Sequence, residues 1–446
     1  MSKTAPRTEG VASPRVLRRV LTVLVVSQAL GGAGMAAGIT VGALLAEDLL
    51  GSTGLAGLPV ALFTGGAALG AAVIGRISQR RGRRPGLALG HGAAALGSVG
   101  VVAGAAWQSA VLLLASLFVY GAGTATGLLA RYAGADLAPP ERRGRATGTV
   151  LLATTLGAVA GPNLVGPTGA LAHAWGIPRL AGPFLLAAVA YAAAGLVLLL
   201  WLRPDPLLLA RAESPHGKAP ARDTPVPDAP TPDAPVPDAP TLDTPGPDTE
   251  PRSAVPAPRR SGRFTPGVVT GATVMITAQL VMIAVMTMTP VHMTGHGHST
   301  QAAGFVIALH VGAMFLPSPL SGLLADRVGR LPVAAASGAV LLAAGLLAGL
   351  APPDSVLLLS CSLVLLGVGW NLALVGGTAL ITDAVPADSR ASVQGLVDVG
   401  MALAGATGGM ASGLVVAGGG YPLLAMAAGT LALAVIPAVA LRGAAR

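Results

Sequence analysis

Met282 and Met286 stand four residues apart in one apolar run, and His310 and Met314 stand four apart in the next. A spacing of four puts both members of a pair on one helix face, so each pair offers two ligand atoms to one point in space. Thioether and imidazole together suit a soft or borderline transition metal, copper above all. Between the pairs, residues 289–298 read as a turn that adds His292, Met293, His296 and His298, either as ligands gathering metal at an entrance or, for the histidines, as ordinary loop residues. Met275, Met282, Met286, Met288 and Met293 are five of the chain's 11 methionines, so the clustering is local. Methionine is also a common filler of apolar helices, and packing explains the same stripe on residue type alone. His310 weighs toward chemistry, because an ionisable side chain in mid-membrane is costly and marks a functional position by default.

The elements that must position these side chains are apolar throughout. Of 446 residues, 53% are hydrophobic and 11% charged, well under the roughly 25% charged residues of soluble domains. Twelve spans have the roughly 20 residues needed to cross about 30 Å of hydrocarbon. They cover 17–45, 54–75, 85–106, 109–135, 145–172 and 180–202, then 264–289, 301–324, 332–351, 354–383, 391–416 and 420–441. The 62 glycines suit close helix packing. A single cysteine, Cys361, excludes an intramolecular disulfide.

Charge placement gives orientation. With the N terminus inside, all of the 28 Lys and Arg except Arg131 and Arg179 fall in inner loops and tails, which makes both termini cytoplasmic. The net charge of +9 is therefore a topology signal rather than a nucleic-acid footprint. Residues 1–16 form a polar tail without a cleavable signal peptide, and 442–446 form a second tail. Residues 203–262 carry a Pro and Asp tract typified by Pro225-Val226-Pro227-Asp228. Its apolar surface is too small to fold, and the sequence predicts a disordered cytoplasmic linker between bundles at 17–202 and 263–441.

The two bundles repeat one another. Shifting by 247 lays Gly75, Arg80, Gly82, Arg83 and Pro85 on Gly322, Arg327, Gly329, Arg330 and Pro332. The same shift lays Asp136, Pro139, Arg143 and Gly148 on Asp383, Pro386, Arg390 and Gly395. One offset across two separate loops identifies a duplicated six-helix unit, the parallel repeat of many secondary transporters.

These loops resemble the major facilitator superfamily, and the resemblance covers the chain outside the tail and linker. Gly322, Asp326, Arg327, Gly329 and Arg330 match the family's G-x-x-x-D-R-x-G-R motif; the first half keeps Gly75, Arg80, Gly82 and Arg83 but has Gln79 in place of Asp. The resemblance implies an all-α integral membrane fold of 12 transmembrane helices in two pseudo-symmetric six-helix bundles. It also implies a cytoplasmic latch of tight turns and breakable charge pairs, weaker in the first half and leaving Arg83 to pair with Asp136; topology anchoring alone accounts for the same basic cluster. Gly157, Gly161, Pro162 and Gly166 look like the family's G-x-x-x-G-P antiporter motif, a pattern that also serves plain packing. Leu117 stands where span four often has arginine, which puts one common proton-coupling scheme in doubt.

Within the superfamily, Met282-x-x-x-Met286 in span seven and His310-x-x-x-Met314 in span eight resemble the CcoA-type copper importers, a family that also has riboflavin-carrying relatives. For coupling, Asp398 lies about two turns into span eleven with Gln394 on its face, and Arg131 lies near the inner end of span four. Facing the central cavity, Arg131 and Asp398 would form a proton-sensitive inner gate; a fixed structural pair, or a link from Arg131 to Asp136, is the alternative. No enzyme signature and no P-loop lysine pattern is present. The expectation is a monomeric alternating-access carrier in the cytoplasmic membrane, contacting lipid and a metal ion or small molecule, with copper as cargo and no cofactor. Proton-coupled efflux of an organic compound, riboflavin-like cargo, and a sensor or scaffold using the linker are the rivals.

Overall fold

The computed structural model describes residues 13–35, 58–213, 265–437 and 439. In chain order the helices are α1 (Pro14–Met35), α2 (Leu58–Arg81), α3 (Arg83–Ala106), α4 (Ala110–Asp136), α5 (Arg143–Ala174), α6 (Gly182–Trp201), α7 (Pro206–Ala212), α8 (Pro266–Gly295), α9 (Thr300–Phe315), α10 (Ser318–Arg327), α11 (Arg330–Leu350), α12 (Val356–Ala384) and α13 (Ala387–Leu431). The eighth span is α9 and α10 together, broken beside Pro317. The last two spans are the two arms of α13, which bends at Gly420, where φ is 77°. With α5 these make twelve membrane-spanning helices in an all-α, two-bundle arrangement. No other structure satisfies every backbone polar group of such spans inside lipid, apart from a closed barrel.

Local sequence explains the joints. Between α2 and α3, and between α10 and α11, the chain reverses around Gly82 (φ 95°) and Gly329 (φ 110°), repeat-equivalent positions that no side-chain-bearing residue adopts cheaply. Ser109, Thr265, Ser299 and Ser355 cap the helices that follow them with their hydroxyls.

Two expectations are corrected. The stretch 289–298 is not a turn: α8 continues through Pro290 to Gly295, and the chain turns only at His296 and Gly297. An internal proline forfeits one helical hydrogen bond, whereas unwinding the whole stretch would strand several backbone groups. Residues 203–213 are not unstructured either. They hold α7, whose start is capped by Asp205 through Leu207 N–H at 3.0 Å and Leu208 N–H at 3.2 Å. The Pro and Asp tract itself lies outside the described residues.

Aromatic contacts mark the two bundle interiors. Tyr120 meets Phe184 and Tyr191 edge-on in the first, with centroids 5.4 and 5.9 Å apart. Phe315 meets Trp370 edge-on at 5.7 Å in the second.

Candidate functional site

The two halves meet along a seam at the end of the bundle that carries Arg80–Arg84, Arg142–Arg145 and Arg327–Arg330, called here the basic end. Small residues let the backbones touch. A methyl on Gly75 of α2 would fall 3.0 Å from the Gly395 Cα of α13, and one on Gly322 of α10 would fall 2.3 Å from the Gly144 carbonyl of α5. Larger side chains would hold these helices apart.

Around each contact sits a charge triad, and the two triads are repeats of one another. Asp136 takes Arg83 of its own half at 2.8 Å and Arg390 of the other half at 3.5 Å. Asp383 takes Arg330 of its own half at 2.9 Å and Arg143 of the other half at 2.5 Å. The copies differ in environment, since the Asp136 side chain is 0% exposed and that of Asp383 is 28% exposed. Arg83 also donates to Gln394, which in turn donates to Thr382 Oγ1 at 3.2 Å.

The loop-motif acid works through helix starts. Asp326 accepts from the backbone N–H groups of Gly144 and Arg145, each at 2.9 Å, and so caps α5 from the other half. Gln79, its repeat-equivalent, does the same to α13 by another route. Its Oε1 accepts from Ser392 N–H at 3.1 Å and its Nε2 donates to the Asp388 carbonyl. Those two backbone groups are the partners of one i→i−4 helical hydrogen bond, so the amide of Gln79 spans a turn of α13. Without a charge Gln79 still joins the first-half latch, since an amide supplies both a donor and an acceptor where a carboxylate offers only acceptors.

Deeper along the seam, Arg131 of α4 and Asp398 of α13 form an ion pair at 2.6 Å, with side chains 0% and 5% exposed. The guanidinium is held on every side: Nη1 donates to the Leu128 carbonyl at 2.6 Å, Nη2 to Tyr132 Oη at 2.9 Å and Nε to Thr378 Oγ1 at 3.0 Å. The Tyr132 hydroxyl also reaches Asp398 Oδ1 at 3.3 Å. Asp398 Oδ2 is buried and has no hydrogen-bond partner among the described residues. Arg131 thus pairs with Asp398 and leaves Asp136 to Arg83 and Arg390. Tyr132 and Thr378 escaped sequence reasoning, although applying the 247 offset to Arg131 lands on Thr378.

The soft ligands divide into three places. His310 is fully buried; its Nδ1 donates to the Leu363 carbonyl of α12 at 2.8 Å, and its Nε2 has no partner among the described residues. Met314 lies one turn further on and is 9% exposed, while Met282 is buried on the α8 stripe that carries Met275 against Gly377 of α12. Met286 is half-buried against the same core. At the far end of α8, His292 stacks on Tyr421 with centroids 4.4 Å apart and lies 4.3 Å from the His296 ring, whereas Met293 is buried and His298 Nε2 donates to the Pro353 carbonyl at 2.9 Å. Among the described residues, no group of three or more His, Cys, Asp or Glu is placed to hold a metal ion.

The helix-packing motif is half expressed. A methyl on Gly157 would fall 2.2 Å from the Ala29 carbonyl of α1, while one on Gly166 would meet nothing within 4 Å among the described residues. Gly161 and Pro162 lie within α5, with side-chain surroundings outside the described residues.

Comparison with known proteins agrees with this architecture. The family model for the Major Facilitator Superfamily matches residues 21–408 and 271–445. The chain is 46% identical to an uncharacterized MFS-type transporter, YdeG of Bacillus subtilis (strain 168), over 98% of this chain and 96% of that one. It is 31% identical to the riboflavin transporter RfnT of Brucella anthropi, over 85% of each chain. Among solved structures, the human organic anion transporter MFSD10 (TETRAN) superposes with a TM-score of 0.68 at 18% identity, covering 96% of this chain and all of that one, a likeness of fold.

Proposed function

The chain belongs to the major facilitator superfamily, and from that premise we propose that it moves a small organic solute across the cytoplasmic membrane, coupled to a proton taken up by Asp398. As a member it is a multi-pass secondary transporter working by alternating access rather than an enzyme. In the conformation described, the seam is closed at the basic end, which the Lys and Arg distribution assigns to the cytoplasm.

The observation that carries the coupling is the Arg131–Asp398 pair with its spare oxygen. The pair joins α4 to α13 across the seam, so it must break when the halves part at this end. Parting two buried charges without compensation costs about 3–5 kcal/mol. A proton on Asp398 Oδ2, which has no partner among the described residues, removes the negative charge first, while Tyr132 and the Leu128 carbonyl, both of α4, continue to hold Arg131. Protonation therefore weakens the bridge to α13 and leaves α4 intact.

An organic cargo is supported by the likeness to the riboflavin transporter, which spans most of both chains. A flavin-like molecule is the first compound to try. Copper is the second reading, in the manner of the CcoA-like importers. It rests on His310, whose Nδ1–H is fixed by a backbone carbonyl so that Nε2 presents a lone pair, the usual arrangement of a metal-ligating imidazole.

Proteoliposome flux separates the readings. Radiolabelled riboflavin and radiolabelled copper are followed with wild type, with Asp398→Asn, and with Met282→Ala, Met286→Ala, His310→Ala and Met314→Ala combined. Riboflavin flux driven by a pH gradient and abolished by Asp398→Asn supports the organic reading. Copper flux that vanishes only in the fourfold variant overturns it.

A further inference from the structure

Beside the Gly75–Gly395 contact, on the outer flank of the bundle, α2 and α13 leave a groove of about 110 Å³ lined by Ala72, Arg76, Ser392, Val393 and Leu396. We propose that this groove binds the phosphate of an anionic membrane phospholipid, gripped between Arg76 of the first half and Ser392 of the second.

The groove is apolar apart from two free polar groups. Arg83, Arg143 and Arg390, which also line the seam, are each paired. Arg76 has no ion pair or hydrogen bond among the described residues, and Ser392 engages only its backbone N–H, with Gln79, leaving its hydroxyl unused. A guanidinium beside a hydroxyl is a donor set for phosphate oxygens. Arg76 lies five residues before the end of α2, roughly 7.5 Å in from its tip, a depth suited to a headgroup phosphate rather than to bulk water.

The walls say where the anion comes from. Leu396 is 53% exposed and Val73, on the adjoining face of α2, is 38% exposed, so the groove opens sideways onto apolar surface where acyl chains lie. A lipid brings its phosphate to that depth along with the chains, and basic side chains at the membrane surface attract anionic headgroups.

The site is conformation-specific because its two grips belong to different halves. Separation at the basic end carries Ser392 away from Arg76 and dismantles the groove. A ligand that binds one state alone favours that state by its differential affinity, so the lipid holds the transporter closed at this end. This device is separate from Asp398 and from whichever solute is carried.

The test uses purified full-length protein and native mass spectrometry of lipid retention with phosphatidylglycerol, phosphatidylcholine, and soluble glycerol phosphate. Phosphatidylglycerol is expected to be retained most strongly. Arg76→Ala should weaken its retention about tenfold, the scale of one charge-assisted hydrogen bond, and Ser392→Ala should weaken it by a smaller factor. Arg76→Lys should restore most of it, and Arg19→Ala, which removes an exposed charge at the same end away from the seam, should leave it unchanged. Equal loss in Arg19→Ala would reduce the effect to general basicity and overturn the site. Retention of glycerol phosphate as strong as that of the lipid would identify a soluble-anion site instead.

Discussion

Arg131 Nε donates to Thr378 Oγ1 at 3.0 Å, and the two residues are 247 positions apart, the offset that relates the two halves. A residue can touch its own repeat-equivalent only on the axis relating the halves. Arg131 therefore sits at the centre of the transporter, and the halves share this point while differing around it. The repeat-equivalent of Asp398 is Leu151, a buried aliphatic residue, so the acid that binds Arg131 is present in one half alone.

That asymmetry makes the response to Asp398→Asn specific. Asparagine preserves shape but cannot release a proton, and flux driven by a pH gradient should fall by an order of magnitude or more. Solute exchange without a gradient should persist. Gradient-driven flux in proteoliposomes measures the first and counterflow the second; undiminished pH dependence would sink the coupling role.

The two triads should respond unequally to the same substitution. Asp136→Asn leaves the buried Arg83 and Arg390 without a counter-charge, at a cost of about 3–5 kcal/mol. Asp383→Asn acts on a partly exposed cluster and should cost about 1 kcal/mol or less. Thermal unfolding in detergent should rank Asp136→Asn clearly below Asp383→Asn, and equal losses would contradict the difference in burial.

Gln79→Glu tests the amide that spans a turn of α13. The carboxylate keeps the acceptor for Ser392 N–H but turns the donor into an acceptor facing the Asp388 carbonyl. Losing that hydrogen bond costs about 0.5–1.5 kcal/mol, all of it in the state closed at the basic end. Fluorescent probes placed across the seam should report a larger open fraction; no shift would mean the amide is incidental.

Gly75→Leu should prevent closure outright. Even the Cβ would lie 3.0 Å from both the Ala391 carbonyl and the Gly395 Cα, leaving no room for the remaining atoms. The variant should be labelled readily by a thiol reagent at cysteines introduced on the basic-end walls of the cavity and should lose flux. Wild-type protection of those cysteines would show that α2 and α13 can yield at this point.

Much of the framework is legible because duplicated loops constrain each other: the repeat offset aligns Asp136, Arg83 and Arg143 with Asp383, Arg330 and Arg390, although of the triads' pairings only Arg83–Asp136 follows from sequence. Arg131 and Asp398 stood out as charges in apolar spans, and each needed a partner. The contacts of Gln79 are not legible in the sequence because they are made with backbone groups of a helix more than 300 residues away, which no local pattern reveals. The α7 helix was missed despite a readable signal, an Asp205 cap followed by Pro206 and three leucines; the Pro and Asp tract beyond it dominated the reading. The methionine and histidine pairs stayed ambiguous because packing and ligation favour the same helical spacing.

The long first arm of α13 gives the molecule a lever. From Ala387 in the seam to Gly419 it is an uninterrupted helix, roughly 50 Å long and longer than the hydrocarbon is thick. Its lower tip is gripped by Gln79, its shank by Arg131 on the central axis, and just past its upper tip Tyr421 stacks on His292. Asp398 lies about a third of the way along this rod, 11 residues from Ala387 and 21 from Gly419. If the halves part at the basic end, a tilt of this rod is carried along it toward Gly420, next to the Tyr421–His292 contact with α8 at the far surface.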